Sequence, residues 1–243
     1  MTRHCPCGKL RRMTRPPKTD STITKPKTRV KPASRMIMLK PDYAFEREHG
    51  APHVRICGID EAGRGPLAGP VVAAAVIIDA ENCPDGLNDS KKLDEAKREA
   101  LFAELTARAE IGVGIASIEE IEELNILWAS MLAMSRACAA LENPPAFALI
   151  DGNRVPKLDC PARAIIGGDA RVLSIAAASI VAKVTRDRIM NELAAAHPGY
   201  GWETNRGYGT PEHLDALNRL GVTPHHRKSF APIRNMLSPA IPE

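Results

Sequence analysis

Gly58 to Gly65 reads GIDEAGRG, which places two adjacent carboxylates, Asp60 and Glu61, at the end of a β-prone run (Val54, Ile56, Ile59) and directly before a glycine-rich turn. Adjacent acids repel, and a divalent cation at a strand end makes both charges favourable; carboxylate oxygens suit Mg²⁺ or Mn²⁺. Taken alone, the pair could equally be a solvated strand end. Two further acids repeat the pattern. The run AFALID ends in Asp151 before a Gly152-Asn153 turn, and Ala164 to Ile166 leads through Gly167-Gly168 to Asp169. Ligands of open α/β sheets bind outside the carboxyl ends of strands, so Asp60, Glu61, Asp151 and Asp169 can converge on one edge.

The elements that must position these acids follow from apolar patterning and turn residues. Strands are predicted at 54–59, 69–79, 111–116, 146–150 and 164–166. A short amphipathic helix is predicted over 94–108. Ser117 with Glu120 offers a capping box for a helix running to about Leu141. A long helix spans 170–196 and another 211–220. The stretch SIAAASIV (174–181) is small and apolar throughout, which implies close packing of that helix on the sheet; its serines read as packing or capping groups. Asp187, flanked by Arg186 and Arg188, reads as a salt-bridged surface residue, and Asp89 as a loop acid capping the next segment.

Several strings carry a resemblance. GIDEAGRGPLAGPVVAAAVI (58–77), DSKKL (89–93), IDGN (150–153), GGD (167–169), SIAAASIVAKVTRDR (174–188), GYGT (207–210) and HRKSF (226–230) occur in order, and together they resemble ribonuclease HII from about Arg55 to Phe230. The resemblance implies an α/β fold: a ribonuclease H-like mixed five-stranded sheet flanked by helices, with a helical C-terminal segment. It implies a catalytic, metal-binding quartet of Asp60, Glu61, Asp151 and Asp169 that uses Mg²⁺ or Mn²⁺ in a two-metal mechanism. Two such ions activate water, offset charge on the phosphate and stabilise the leaving alkoxide. The implied substrates are RNA/DNA hybrids and single ribonucleotides in duplex DNA, nicked on the 5′ side to leave 3′-hydroxyl and 5′-phosphate ends.

Substrate recognition falls to other residues. The Gly63-Arg64-Gly65 turn lets backbone approach a ligand and exposes N–H groups; it lacks Walker spacing. By the resemblance it reads the ribonucleotide's 2′-hydroxyl. Tyr208, between two glycines in a polar loop, would pack on the following deoxyribose. Ser90, Lys91, Lys92 and Lys183 read as phosphate contacts, and residues 226–230 as structural or substrate-supporting.

Charge divides the chain. Residues 1–40 hold 12 Lys and Arg against Asp20 alone, while the remaining 203 residues hold 21 bases and 28 acids. Residues 1–52 therefore read as a basic, disordered extension able to attract nucleic acid, and 53–243 as the catalytic domain. Met36 and Met38 are alternative starts for such a sequence. Six scattered cysteines suggest no disulfide framework, and no apolar run approaches membrane-spanning length. A monomer in the cytoplasm is the expectation. Three other readings remain open: a junction resolvase, a catalytically silent nucleic-acid binder and a ribonuclease HIII-like enzyme, the last usually needing a larger N-terminal domain.

Overall fold

In the computed structural model, residues 1–2 and 40–238 are described, so the predicted disorder of residues 3–39 lies outside the described residues. The central strand is β1 (Ile56–Ala62). On one side it runs antiparallel to β2 (Val71–Ile77), which runs antiparallel to β3 (Glu110–Ala116). On the other side it runs parallel to β4 (Phe147–Asp151), which runs parallel to β5 (Ala162–Ile165). The order β3-β2-β1-β4-β5 is the mixed five-stranded sheet expected from the sequence.

Element boundaries differ in ways that matter for the acids. β1 continues past its predicted end, so Asp60 and Glu61 lie within the strand, opposite Ala74 and Ala73 of β2. β2 supplies a hydrogen-bonding ladder there, and its small alanines leave the acids room. The long helix α4 (Leu173–Ala196) starts later than predicted. Residues Gly168–Ala170 instead form a 3₁₀ turn, in which the Arg171 and Val172 N–H groups both donate to Gly168 O at 2.9 and 2.7 Å.

Helices cover both faces. Helix α3 (Ile118–Ala139) packs Ala133, Met134 and Ala137 against Cys57, Ile59 and Ile150. Its capping box is formed: Ser117 N–H donates to Glu120 Oε2 at 2.9 Å and Glu120 N–H to Ser117 Oγ at 3.3 Å. Asn125 interrupts α3 at φ 66°, and its side chain re-caps the second half by accepting from Leu127 N–H. On the opposite face, α4 and α2 (Glu95–Arg108) enclose Ala74, Val76 and Ile78.

The α4–β1 contact is very close. A Cβ on Gly58 would lie 2.2 Å from Ser174 C and 2.3 Å from Ile175 N, backbone atoms that have no rotamer to yield. Gly58→Ala is therefore expected to destabilise the fold by about 3 kcal/mol through overpacking. A urea midpoint equal to wild type would show that α4 can retreat freely.

Among the described residues, 41–52, assigned by the sequence to the extension, are part of the folded body rather than preceding a start at 53. Helix α1 (Ala44–Glu48) belongs to it. Tyr43 Oη donates to Ile78 O at 3.1 Å, and the fully buried Glu46 accepts from Ser174 N–H at 2.8 Å, satisfying a donor of the first turn of α4. At the other end, α5 (Trp202–Asn205), α6 (Pro211–Leu220) and α7 (Ala231–Leu237) supply the helical C-terminal segment, gathered around buried Trp202, Leu217 and Ile233. Among the described residues, no helix is long and apolar enough to cross a membrane.

Candidate active site

The parallel register brings the acids to one edge. Ile59 pairs with Ile150, so Asp60 and Asp151 follow side by side at the carboxyl ends of β1 and β4. Asp151 Oδ1 accepts the Gly168 N–H at 2.7 Å, which ties β4 to the 3₁₀ turn carrying Asp169. Asp60 is 5% exposed, and its Oδ1 accepts the Glu61 N–H at 2.7 Å. Burial pushes the Asp60 carboxyl well above its usual range, and the charges of Glu61 and Asp151 push it further. Burial also raises Glu61, against the opposing effect of Arg64, whose Nη1 lies 3.1 Å from Glu61 Oε1. Asp169 is raised by burial and then by Asp151 and Asp89. Concentrated negative charge with too little compensation is the electrostatic state of this edge.

The donor set fits a hard divalent ion, because it is all carboxylate oxygen and each shift is one that a cation would reverse. Among the described residues, no three His, Cys, Asp or Glu side chains are gathered closely enough to hold an ion by themselves.

Of the predicted phosphate contacts, Lys91 is the one at the edge. Its Nζ lies 3.8 Å from Asp169 Oδ2. Burial lowers its pKa, but the surrounding carboxylates, Asp60 foremost, outweigh that and hold it above the ordinary value. The other three sit in different surroundings. Ser90 is buried, with its Oγ 2.8 Å from Ser179 Oγ, and the two serines together line the floor of the pocket beside the acids. Lys92 lies 4.0 Å from Asp89, on the outside of the turn that Asp89 caps by accepting Lys91 N–H at 3.0 Å. Lys183 reaches the pocket wall but donates to Asp187 at 2.6 Å, and burial lowers its pKa. Asp187 is itself buried and paired with Lys183 and, at 3.8 Å, Arg206; the expected surface pairing with its neighbours does not occur.

Beside the acids lies a pocket of about 230 Å³ walled by Glu61, Gly63, Arg64, Gly65, Lys91, Lys183, Arg186 and Tyr208. The predicted recognition residues thus share one wall. Tyr208 is 48% exposed and faces the turn: a Cβ on Gly65 would lie 3.3 Å from its Cε1. Gly63 has φ +99°, and a Cβ there would fall 2.1 Å from Arg186 Nε.

Two buried arginines hold these loops from within. Arg227 donates to Gly63 O at 2.6 Å, Arg64 O at 3.0 Å and Gly69 O at 2.8 Å, with its Cζ 5.1 Å from the Phe230 ring centroid. Arg186 donates to Pro70 O, Ala68 O and Arg206 O, each at 3.0 Å, and so joins the segment that follows the glycine turn to the Tyr208 loop. Burial draws both guanidinium pKa values down, and for Arg227 the charge of Arg186 adds to this. Both remain charged, with carbonyl dipoles as their compensation. With its carbonyls occupied, the turn is fixed.

A histidine pair supports Tyr208. His213 Nδ1 donates to Tyr208 O at 2.9 Å, so His213 Nε2 is the acceptor for Trp202 Nε1–H at 3.0 Å and for His226 Nε2–H at 3.1 Å. His226 Nδ1 in turn accepts Thr223 N–H at 3.0 Å. Both rings are neutral, since burial lowers His213 and takes His226 to about 4. The structural reading of residues 226–230 is thereby given content.

The sequence pattern of the Ribonuclease HII family matches residues 57–233. A curated Ribonuclease HII from Parvibaculum lavamentivorans is 63% identical over 240 residues, covering 98% of this chain and 86% of the relative. One from Ruegeria pomeroyi is 60% identical over 202 residues, covering 82% and 86%. Among solved structures, the ribonuclease H2 of Pyrococcus horikoshii aligns at 28% identity and a TM-score of 0.64, covering 75% of this chain and 96% of that one. With the family pattern spanning both the acid edge and the loops beside it, this chain belongs to the ribonuclease HII family, endoribonucleases of the ribonuclease H type that cut the RNA strand of RNA/DNA hybrids.

Proposed function

We propose that this enzyme also nicks duplex DNA at single embedded ribonucleotides, on their 5′ side, leaving a 3′-hydroxyl and a 5′-phosphate. The observation that carries the reading is the position of the Gly63-Arg64-Gly65 turn between the acids and an exposed tyrosine. The turn's carbonyls are held from inside by Arg227, which leaves its N–H side to meet a 2′-hydroxyl. Tyr208 offers a flat apolar surface one sugar further on, where deoxyribose packs and a second 2′-hydroxyl would interfere. Lys91 meets phosphate, and Lys92 and Lys183 add positive potential.

In this reading Asp60, Glu61, Asp151 and Asp169 hold Mg²⁺ or Mn²⁺. Bound there, a pair of such ions supplies an activated water, charge compensation at the phosphate and stabilisation of the leaving 3′-oxygen. The acids orient that region through the backbone bonds that fix them: Glu61 N–H to Asp60 and Gly168 N–H to Asp151. Lys91 occupies part of the negative field and is positioned to move to phosphate when the acids acquire another partner. One chain supplies every group invoked, so a monomer suffices, and a substrate of this kind places the work in the cytoplasm.

The test is cleavage of an end-labelled DNA duplex with one ribonucleotide, with Mg²⁺, Mn²⁺ or chelator, beside an all-DNA control and a duplex with four consecutive ribonucleotides. A metal-dependent nick 5′ of the ribonucleotide is expected. Tyr208→Ala is expected to lower the rate at the single site about 10-fold or more, consistent with one lost stacking contact, and to affect the four-ribonucleotide duplex less. Equal cutting of all-DNA would point instead to a resolvase. Cutting confined to the longer hybrid would point to a ribonuclease HIII-like preference.

A further inference from the structure

Three thiols meet on the α3 side of the sheet, away from every group used above. Cys57 of β1 pairs with Ala148 of β4, which pairs with Ala162 of β5, and Cys160 lies two residues before Ala162. Cys57 packs from the sheet into the same apolar cluster as Cys138 of α3, and Cys160, in the segment before β5, packs against that cluster. Ser135 Oγ donates to Lys157 O at 2.8 Å and clips the segment before β5 onto α3. Beside that clip is a cavity of about 400 Å³ whose wall includes Ser135, Cys138, Lys157, Asp159 and Cys160. Lys157 and Asp159 are exposed, and Cys138 and Cys160 are both free thiols at its wall.

The three sulfurs are not equivalent. The neighbouring thiols, Cys57 first, draw the Cys138 thiol down to about 7 against the opposing effect of burial. Burial pushes Cys160 up to about 11. Of the two thiols that line the cavity, Cys138 is the more acidic and so is placed to react first, with Cys160 its protonated neighbour. Cys57 is fully buried in the sheet and does not line the cavity.

We propose that Cys138 and Cys160 form a hydroperoxide-oxidisable dithiol site, Cys138 attacking and Cys160 resolving. The Cys138 thiolate attacks one oxygen of hydrogen peroxide, the O–O bond breaks, and hydroxide leaves, giving Cys138 sulfenic acid. The Cys160 sulfur then attacks the Cys138 sulfur, water leaves with the thiol proton, and a disulfide forms. Overall two thiols and one peroxide give one disulfide and two waters. The cavity is wide enough for peroxide, a molecule little larger than water, although Cys138 itself is 8% exposed. Cys160 precedes β5, whereas the acids follow the strands' carboxyl ends, so the link spans the edge opposite the carboxylates.

The experiment treats the full chain with hydrogen peroxide, digests it without reductant and maps cysteine peptides by mass. A Cys138–Cys160 peptide, two hydrogens lighter than the reduced pair, is expected in wild type and in Cys57→Ser. In Cys160→Ser, with its fold checked by circular dichroism, the sulfenic acid persists and Cys138 carries a dimedone adduct. Cys138→Ala leaves Cys160 reduced at the same peroxide dose. A Cys57–Cys138 link, oxidation confined to Cys5, Cys7 or Cys83, or an unmodified Cys138 in folded Cys160→Ser overturns the proposal.

Discussion

Asp60→Asn is expected to lower hybrid cleavage by ~10³-fold or more, about 4 kcal/mol of transition-state stabilisation, while raising the melting temperature of the metal-free protein. The two effects have one origin. Asp60 is buried beside Glu61 and Asp151, and burial, the largest cause, raises its pKa well above the usual 3.8. A carboxyl whose folded pKa lies above its unfolded value binds its proton more tightly in the native state. Stability from such a group is present at low pH and is lost as pH rises from its ordinary range through its raised value. Glu61 and Asp169 have the same sign. Metal-free wild type should therefore lose stability as pH climbs from about 4 toward neutrality on their account, and Asn at position 60 should flatten that slope. Thermal melts across pH in chelator, set beside cleavage rates in Mn²⁺, measure both. A variant that cuts normally would remove Asp60 from the chemistry, and one that melts lower at neutral pH would contradict the charge-crowding account.

The second large effect is expected at Arg227. Arg227→Lys should destabilise the protein by about 3–5 kcal/mol, the range for breaking a buried charged network, and lower the melting temperature by about 10 °C. A planar guanidinium reaches Gly63 O, Arg64 O and Gly69 O at once, and a lysine ammonium on a flexible stem cannot span them. Retained charge with lost geometry is what the substitution isolates. Under conditions where the variant is still folded, its preference for a ribonucleotide over an all-DNA duplex should shrink along with its rate, because the turn's carbonyls are no longer fixed. A urea titration gives the stability, and paired cleavage assays give the discrimination. A midpoint within error of wild type would mean that the turn holds itself.

These residues show what the sequence makes legible. Four acids at three strand ends, the capping box at Ser117 and the glycine turn are local patterns, and local patterns survive into the fold. The extension of β1 through Glu61 was not legible, because it depends on β2 arriving opposite with alanines at 73 and 74. The part played by Ser90 depends on Ser179, far away in sequence, and the pairing of Lys183 with Asp187 competes with its reach to phosphate. Arg186 carries a signal in the sequence: Ile175, Ser179, Ala182, Arg186 and Met190 follow one another at helical spacing and are all buried, so periodicity aims Arg186 inward. Arg227 left no such signal, since it lies in a loop and its partners are backbone carbonyls. Residues 41–52 look like extension because their composition is polar, yet Tyr43 and Glu46 dock on the body through single hydrogen bonds that composition does not record.

The mixed sheet also sets an order of assembly. β1 and β2 can close as a neighbouring hairpin soon after synthesis, bringing Asp60 and Glu61 into place. Ile56 must wait for Phe147 before the parallel half exists, and Asp169 follows later still. Non-local parallel pairing is the slow step in such topologies. A nascent chain stalled before β4 can thus carry half of the acid edge without Asp151 or Asp169, so with the roles proposed for these acids the ability to cut nucleic acid arrives only when the last strands are made.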